Sequence, residues 1–238
     1  MTETESRRSY HNELDEIHDE MTRVAALLVE TVPRATQILL TSDLRGADEL
    51  IHNDDVFNER CIDLEHRCYA LLALQQPVAA DLRRIIAAVK ITSEVERSAD
   101  LCANIAKAAR RLYGHDLDPK LRGLATQMSD QAQQLMRFAV DAYAEYDAAL
   151  AAALDDIDDL LDRLQVAFIA AIFESHAATR TDLAVAVQLA LIARFYERIG
   201  DHAVNIGEWV QYAATGELPN PLQKAKDRFD TGGDPAEV

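Results

Sequence analysis

Apolar residues recur along most of the chain at the spacing of an α-helix, in six long segments. Residues typical of helix ends separate the segments, at Ser42-Asp43, Gln76-Pro77, Tyr113-Gly114, Tyr146-Asp147 and His176-Ala177. The pattern predicts helices over residues 9–42, 44–76, 78–113, 118–146, 148–176 and 179–215. Pro33 lies inside the first segment and is expected to kink it. We therefore predict an all-α protein.

The second half of the chain repeats the first. When the sequence is shifted by 101 positions, residues 81–105 match residues 182–206 at eight of 25 positions, where composition alone gives about two. This internal duplication predicts two tandem three-helix bundles, over residues 9–113 and 114–216, with a boundary near Gly114. Residues 217–238 are rich in turn formers and are expected to be a flexible C-terminal tail.

The composition supports this class and excludes others. With 41 acidic and 24 basic side chains the formal charge is −17, which repels a phosphate backbone, so we expect no direct nucleic-acid binding. No segment reaches the roughly 18 uncharged apolar residues of a membrane span, so we expect no span and a cytoplasmic protein. The three cysteines form no CxxC pair and are expected to be buried free thiols.

Each repeat carries a row of oxygen-bearing side chains at positions i, i+4 and i+8, on the side of the helix opposite its apolar stripe. These acidic ladders are Glu96, Asp100 and Asn104 in the third segment, and Glu197, Asp201 and Asn205 in the sixth. Carboxylates stacked in this way repel one another, so solvent, neighbouring arginines or a bound cation must offset the repulsion. A solvated polar face is the simplest explanation of one ladder, but its duplication favours a metal site.

A second acidic pair precedes each ladder by one helix. The candidates are Asp155 and Asp159 in the fifth segment, and either Asp54 with Asn58 or Asp55 with Glu59 in the second. The shift of 101 positions selects Asp54 and Asn58, whereas alignment of the apolar stripes selects Asp55 and Glu59. With either register, oxygen donors on two antiparallel helices are compatible with a site for a hard cation or iron.

Three motifs resemble the PhoU family of accessory regulators of phosphate-specific transport. In chain order they are QQPVAADLR over residues 75–83, ERSAD over residues 96–100 and ERIGDHA over residues 197–203. The resemblance implies two three-helix bundles that hold multinuclear clusters of iron or zinc, or also Mg or Mn. It also implies a cytoplasmic negative regulator of the phosphate-starvation response that contacts the ATPase subunit of the phosphate ABC transporter and a sensor histidine kinase.

The resemblance places the two acidic ladders on the two metal motifs of the family. The first motif departs from the family pattern, because Ser98-Ala99 replaces Ile-Gly and Leu101 replaces the common His. We therefore expect a stronger metal site in the second repeat, where His202 is a candidate ligand or a donor to a ligand. We also expect a homodimer.

Two rival interpretations remain. A ferritin-like iron protein would carry an ExxH motif on each of two helices, but the chain has one, from Glu49 to His52. A metal-free helical adaptor would use the acidic ladders themselves to dock basic partners. No Gly-rich phosphate loop and no nucleophile motif occurs in the sequence, so we do not expect an enzyme.

Overall fold

The computed structural model describes residues 3–178 and 181–217 of the chain. Within these ranges the chain forms helices joined by short turns, and no strand. The helices are α1 (Glu3–Thr41), α2 (Leu44–Gln75), α3 (Ala79–Arg111), α4 (Pro119–Glu145), α5 (Ala148–Ala177) and α6 (Leu183–Thr215). The all-α prediction is confirmed, and α1 continues through Pro33 without interruption. The predicted flexible tail lies, from residue 218 onward, outside the described residues.

The predicted breaks coincide with side chains that cap helices. The Asp43 carboxylate accepts a hydrogen bond from the backbone N–H of Gly46 (2.9 Å), and Asp147 caps α5 in the same way. Gln76, Tyr146 and Gly216 each end a helix in the left-handed conformation. Because these groups satisfy backbone atoms that helix ends leave open, six separate helices form in place of longer ones.

The six helices form two three-helix units that share a central layer. In the first unit α2 packs against α1 and α3, and in the second α5 packs against α4 and α6. The units meet where α3 packs against α6 and where α1 packs against α4. The buried apolar side chains of all six helices form one continuous cluster. The apolar stripes predicted for the third and sixth segments lie entirely in this core.

A buried polar cluster joins the two units at the centre of this layer. The hydroxyl of Thr36 on α1 lies 2.7 Å from that of Ser129 on α4 and 2.6 Å from that of Tyr196 on α6. All three residues are buried, and Thr36 also bonds the carbonyl of Val32 (3.1 Å). These three hydroxyls are therefore satisfied by one another across the repeat boundary.

The cysteines are buried, and so is half of the most apolar stretch of α1. Cys61, Cys68 and Cys102 are free and buried, as predicted. One described helical stretch, Arg8–Thr41, has the length and apolar character of a membrane span, but half of its apolar window is buried inside the protein. Such a stretch is also what a core helix of this fold requires.

Candidate functional site

The first acidic ladder lies along the boundary between α2 and α3. Glu96, Asp100 and Asn104 are half-buried there, and Asp54 of α2 interacts directly with Asp100. Burial first, and then the charge of Asp100 and a hydrogen bond with it, raise the pKa of Asp54 to about 6. Two carboxylates that face each other in this way favour sharing a proton or a cation.

A lysine ammonium lies close to this pair. Nζ of Lys107 donates to Oδ1 of Asn104 at 3.3 Å, and its charge opposes the rise in the pKa of Asp54. The third residue of the first ladder is thus already bound to a cation of the protein itself. This lysine was not anticipated from the sequence, although it lies at i+3 from Asn104 on the same helix.

The structure places only one of the two alternative pairs of α2 against α3. Asp54 and Asn58 are half-buried, and Oδ1 of Asn58 is buried with no hydrogen bond. Asp55 and Glu59 are exposed. The apolar residues of α2 turn toward the core and carry Asp54 and Asn58 with them, so Asp55 and Glu59 lie on the solvent side.

The fifth segment presents a different acid from those predicted. Asp155 and Asp159 are exposed, whereas Asp158 is buried against α6 at Gly200. The reason is the apolar stripe of α5. Asp158 lies four residues after buried Leu154 and three residues before buried Leu161, so it falls on the same side of the helix. The sequence contained this signal, since extending the stripe along the helix would have selected Asp158.

The second acidic ladder faces two neighbouring helices, with Glu197 near α5 and Asn205 against α3. Glu197 and Asp201 are half-buried, and burial followed by the charge of Asp201 raises the pKa of Glu197. The charge of Asp162 on α5 adds to this rise, while an ion pair with Arg194 opposes it. Oε2 of Glu197 is buried and makes no hydrogen bond.

Asn205, in contrast, points away from the ladder and toward α3. Its Nδ2 donates to Oε2 of Glu94 at 3.4 Å. Burial raises the pKa of Glu94, and the hydrogen bond from Asn205 opposes this rise. Asn205 therefore serves the contact between the two repeats, which the i, i+4, i+8 spacing alone did not reveal.

His202 also faces α3. Its ring is buried, with Nδ1 2.9 Å from the hydroxyl of Ser98 and Nε2 3.8 Å from Oε2 of Glu94. Burial, and then the charges of Arg97 and Arg198, lower the pKa of His202 to about 4, so the ring is neutral at pH 7. The structure thus places this side chain in the contact between α3 and α6.

The lone ExxH motif lies on the surface of α2, and its Glu49 lines the same cavity as Asp54. Glu49 bonds Arg45 at 3.1 Å on the surface of α2, and His52 is exposed. Near it, Asp54 lines a cavity of about 440 Å³ together with Leu27, Arg34 and Arg60. This cavity gives solvent a route to the carboxylate of Asp54.

The oxygen donors fit a hard cation in their chemistry, but they are not gathered into a large cluster. In residues 3–178 and 181–217, no group of three or more His, Cys, Asp or Glu side chains is placed to hold one metal ion. The smaller groups are Asp54 with Asp100, and Glu197 with Asp201. A cluster of several ions needs more donors than the described residues bring together here.

Comparison with known proteins identifies a family that covers both repeats. The model of the PhoU domain matches residues 10–109 and again residues 125–210. The PhoU homolog 1 of Mycobacterium tuberculosis, a phosphate-specific transport system accessory protein, is 35% identical over 90% of this chain and 96% of its own. The corresponding homolog of Mycobacterium leprae is 32% identical over the same shares of both chains.

Solved structures agree in fold. The crystal structure of the phosphate transport system regulatory protein PhoU from Streptococcus pneumoniae superimposes with a TM-score of 0.81, at 27% identity over 89% of this chain and 99% of that one. PhoU from Pseudomonas aeruginosa gives a TM-score of 0.81, at 28% identity over 87% of this chain and all of that one. The family match covers both repeats and the fold is shared. The chain therefore belongs to the PhoU family.

Proposed function

We propose that this protein is a negative regulator of phosphate uptake and of the phosphate-starvation response. In this proposal it acts in the cytoplasm, as a homodimer and without catalysis, through contacts with the ATPase subunit of the phosphate ABC transporter and with a sensor histidine kinase. The observation that carries the proposal is the match to phosphate-transport accessory proteins over 90% of the chain, across both repeats.

The physical character of the molecule supports a role through protein contacts. Six helices around one continuous core provide long and rigid faces. A formal charge of −17 disfavours nucleic acid and accelerates encounter with basic surfaces of partner proteins, an effect that salt weakens.

The test is deletion of the gene. In phosphate-rich medium the deletion strain should express phosphate-starvation genes, and the unmodified gene supplied on a plasmid should restore repression. A reporter under a phosphate-starvation promoter measures both. Normal repression in a deletion strain that has no second PhoU-type gene would contradict the proposal.

We further propose that hard cations or iron bind the acidic ladders. The supporting observation is that carboxylate oxygens lie close together without enough positive charge or hydrogen-bond donors. Asp54 has a pKa of about 6, and Oε2 of Glu197 is buried without a hydrogen bond. A cation would relieve both by supplying positive charge to Asp54 with Asp100, and to Glu197 with Asp201. Elemental analysis of protein purified without chelator or affinity tag tests this, and the metal-free adaptor is the interpretation that remains if no metal is found.

A further inference from the structure

The side chain of Lys107 lies on the same side of α3 as the first acidic ladder. At about 100° per residue, Lys107 is displaced by about 20° around the helix from Asp100, which precedes it by seven residues. Long side chains of a helix point back toward its N-terminus, and Lys107 does so, because its Nζ donates to Oδ1 of Asn104 at 3.3 Å. Lys107 thus continues the row of ladder oxygens with a positive charge.

The charge of this ammonium acts on the carboxylate that faces the ladder from α2. Burial and the charge of Asp100 raise the pKa of Asp54, whereas the charge of Lys107 lowers it. Lys107 is half-buried, so its charge is screened less by salt and water than that of an exposed lysine. The first ladder therefore contains a counter-ion that belongs to the chain itself.

The end of α3 does not account for this arrangement. Basic side chains near a helix C-terminus interact favourably with the last carbonyl groups, and Arg110 and Arg111 already lie in the last turn of α3. Lys107 lies one turn earlier, and its ammonium bonds a side chain of the preceding turn, away from the helix end. Its partner is thus the ladder.

The second repeat has the opposite charge at the equivalent position. The residue 101 positions after Lys107 is Glu208, so a carboxylate replaces the ammonium. At the other end of the second ladder, Arg194 pairs with Oε1 of Glu197. The Arg194 side chain is 53% exposed, and Oε2 of Glu197 remains buried without a hydrogen bond. The two ladders therefore have similar oxygens but different charges beside them.

We propose that Lys107 is a built-in counter-ion that takes the place of a metal ion at the first acidic ladder, so that a metal enters there only by displacing it. A metal ion that approaches Asp54 and Asp100 meets the ammonium as a like charge, which lowers its affinity. The exchange of Lys107 for Glu208 is then what makes the two repeats differ in metal binding. This inference rests on the proposed binding of cations to the ladders.

The test measures metal binding at the first ladder alone, with Mn²⁺ as the probe because it takes oxygen ligands. Every full-length protein carries Asp201→Ala, which disables the second ladder, and the electron paramagnetic resonance signal of free Mn²⁺ gives the amount bound. Lys107→Gln removes the charge, Lys107→Arg keeps it, and Lys107→Glu copies the second repeat. The matched control is Lys120→Gln, at an exposed lysine that pairs with Glu174 (2.6 Å).

Loss of the ammonium should strengthen Mn²⁺ binding. Lys107→Gln should bind Mn²⁺ more tightly than the Asp201→Ala parent by about tenfold, and Lys107→Glu more tightly again. Lys107→Arg should gain less than Lys107→Gln, and Lys120→Gln should bind as the parent does, although it changes the net charge equally. Adding Asp54→Asn to Lys107→Gln should cancel the gain, which locates it at the ladder.

A second measurement uses metal-free protein in EDTA, with Asp201 intact. Lys107→Gln should lower the free energy of unfolding more when Asp54 is present than in the Asp54→Asn variant, because the uncharged amide needs no counter-ion. Equal losses in the two backgrounds would overturn the inference.

The Mn²⁺ titrations separate this inference from the proposed cation binding. If Lys107→Gln gains no affinity while the protein with Asp201 intact binds Mn²⁺, the inference is wrong and the proposed cation binding stands. If Lys107→Gln gains affinity that Asp54→Asn does not cancel, the ion binds elsewhere and the inference is again wrong. If neither the unmodified protein nor any Lys107 variant binds Mn²⁺, both fail.

Discussion

The hydroxyl of Ser98 on α3 lies 2.9 Å from Nδ1 of His202 on α6, and this buried contact joins the two repeats. The single proton of Ser98 is directed to the carbonyl of Glu94 (2.8 Å), so the imidazole Nδ1–H is the donor to Ser98. At the equivalent position of the second repeat, 101 residues later, stands the apolar Ile199. The departure of the first motif from the family pattern thus has a structural role, since it supplies the acceptor for His202.

The first prediction concerns acid stability. The pKa of His202 is about 4 in the folded protein and 6.5 in the unfolded chain, so the unfolded chain binds the proton more tightly. Stability from the neutral ring is complete above pH 6.5 and is lost as the pH falls toward 4, by about 3 kcal/mol. His202→Gln should reduce this loss in urea unfolding between pH 7 and pH 4. His52→Gln, on the exposed surface, is the control, and equal pH profiles for the two variants would refute the prediction.

The second prediction compares two helical glycines. A Cβ atom on Gly200 would lie 2.6 Å from Cδ2 of Leu161 and closer still to Asp158, whereas one on Gly123 would meet nothing within 4 Å. Gly200→Ala should therefore lower the free energy of unfolding by about 1–3 kcal/mol, because α5 must move away. Gly123→Ala should raise it by about 0.5–1 kcal/mol, because alanine favours the helix. Denaturant unfolding measures both, and a stabilising Gly200→Ala would contradict the close approach of α5 and α6.

The third prediction concerns the polar cluster that joins α1, α4 and α6. Tyr196→Phe removes the hydroxyl that lies 2.6 Å from Thr36 in a fully buried site. We expect the free energy of unfolding to fall by about 1–2 kcal/mol, with the transition remaining single. Tyr69→Phe, at a tyrosine that is 49% exposed, should change it by less than about 0.5 kcal/mol. Equal effects of the two substitutions would show that the cluster contributes nothing specific.

The fourth prediction ranks the two acidic ladders as metal sites. Asp201→Ala should lower bound metal more than Asp100→Ala, because the ammonium of Lys107 already lies beside the first ladder and competes with an added cation. Elemental analysis after dialysis against iron, zinc, manganese or magnesium salts measures the content, with exposed Asp130→Ala as control. Equal losses for Asp100 and Asp201, or no metal in the unmodified protein, would contradict the ranking.

Helix positions could be predicted from the sequence because the signals are local. The apolar spacing and the side chains of Asp43 and Asp147 define where helices begin, and both act over one or two turns. The helix ends at Gln76 and Tyr146 were found in the same way. Such features depend on neighbours in the chain and not on the packing of distant helices.

The residues of the candidate site could be predicted only in part from the sequence, because the packing of neighbouring helices decides which side chains face one another. Asp158 lies one helical position from Asp159, yet one is buried and the other exposed. The orientation of Asn205 and His202 toward α3 depends on how the two repeats meet, and no local pattern records this. Whether a residue belongs to a ladder or to a helix contact is therefore decided by the tertiary packing and not by its spacing in the sequence.

Helix α3 carries the first acidic ladder and α6 the second, and the two helices pack against each other. A cation bound at one proposed site would therefore press on the helix that carries the other site. By linkage, any effect of the first site on the cation affinity of the second is returned by the same factor. The duplicated architecture thus makes cooperativity between the two ladders a measurable consequence of the proposed metal binding.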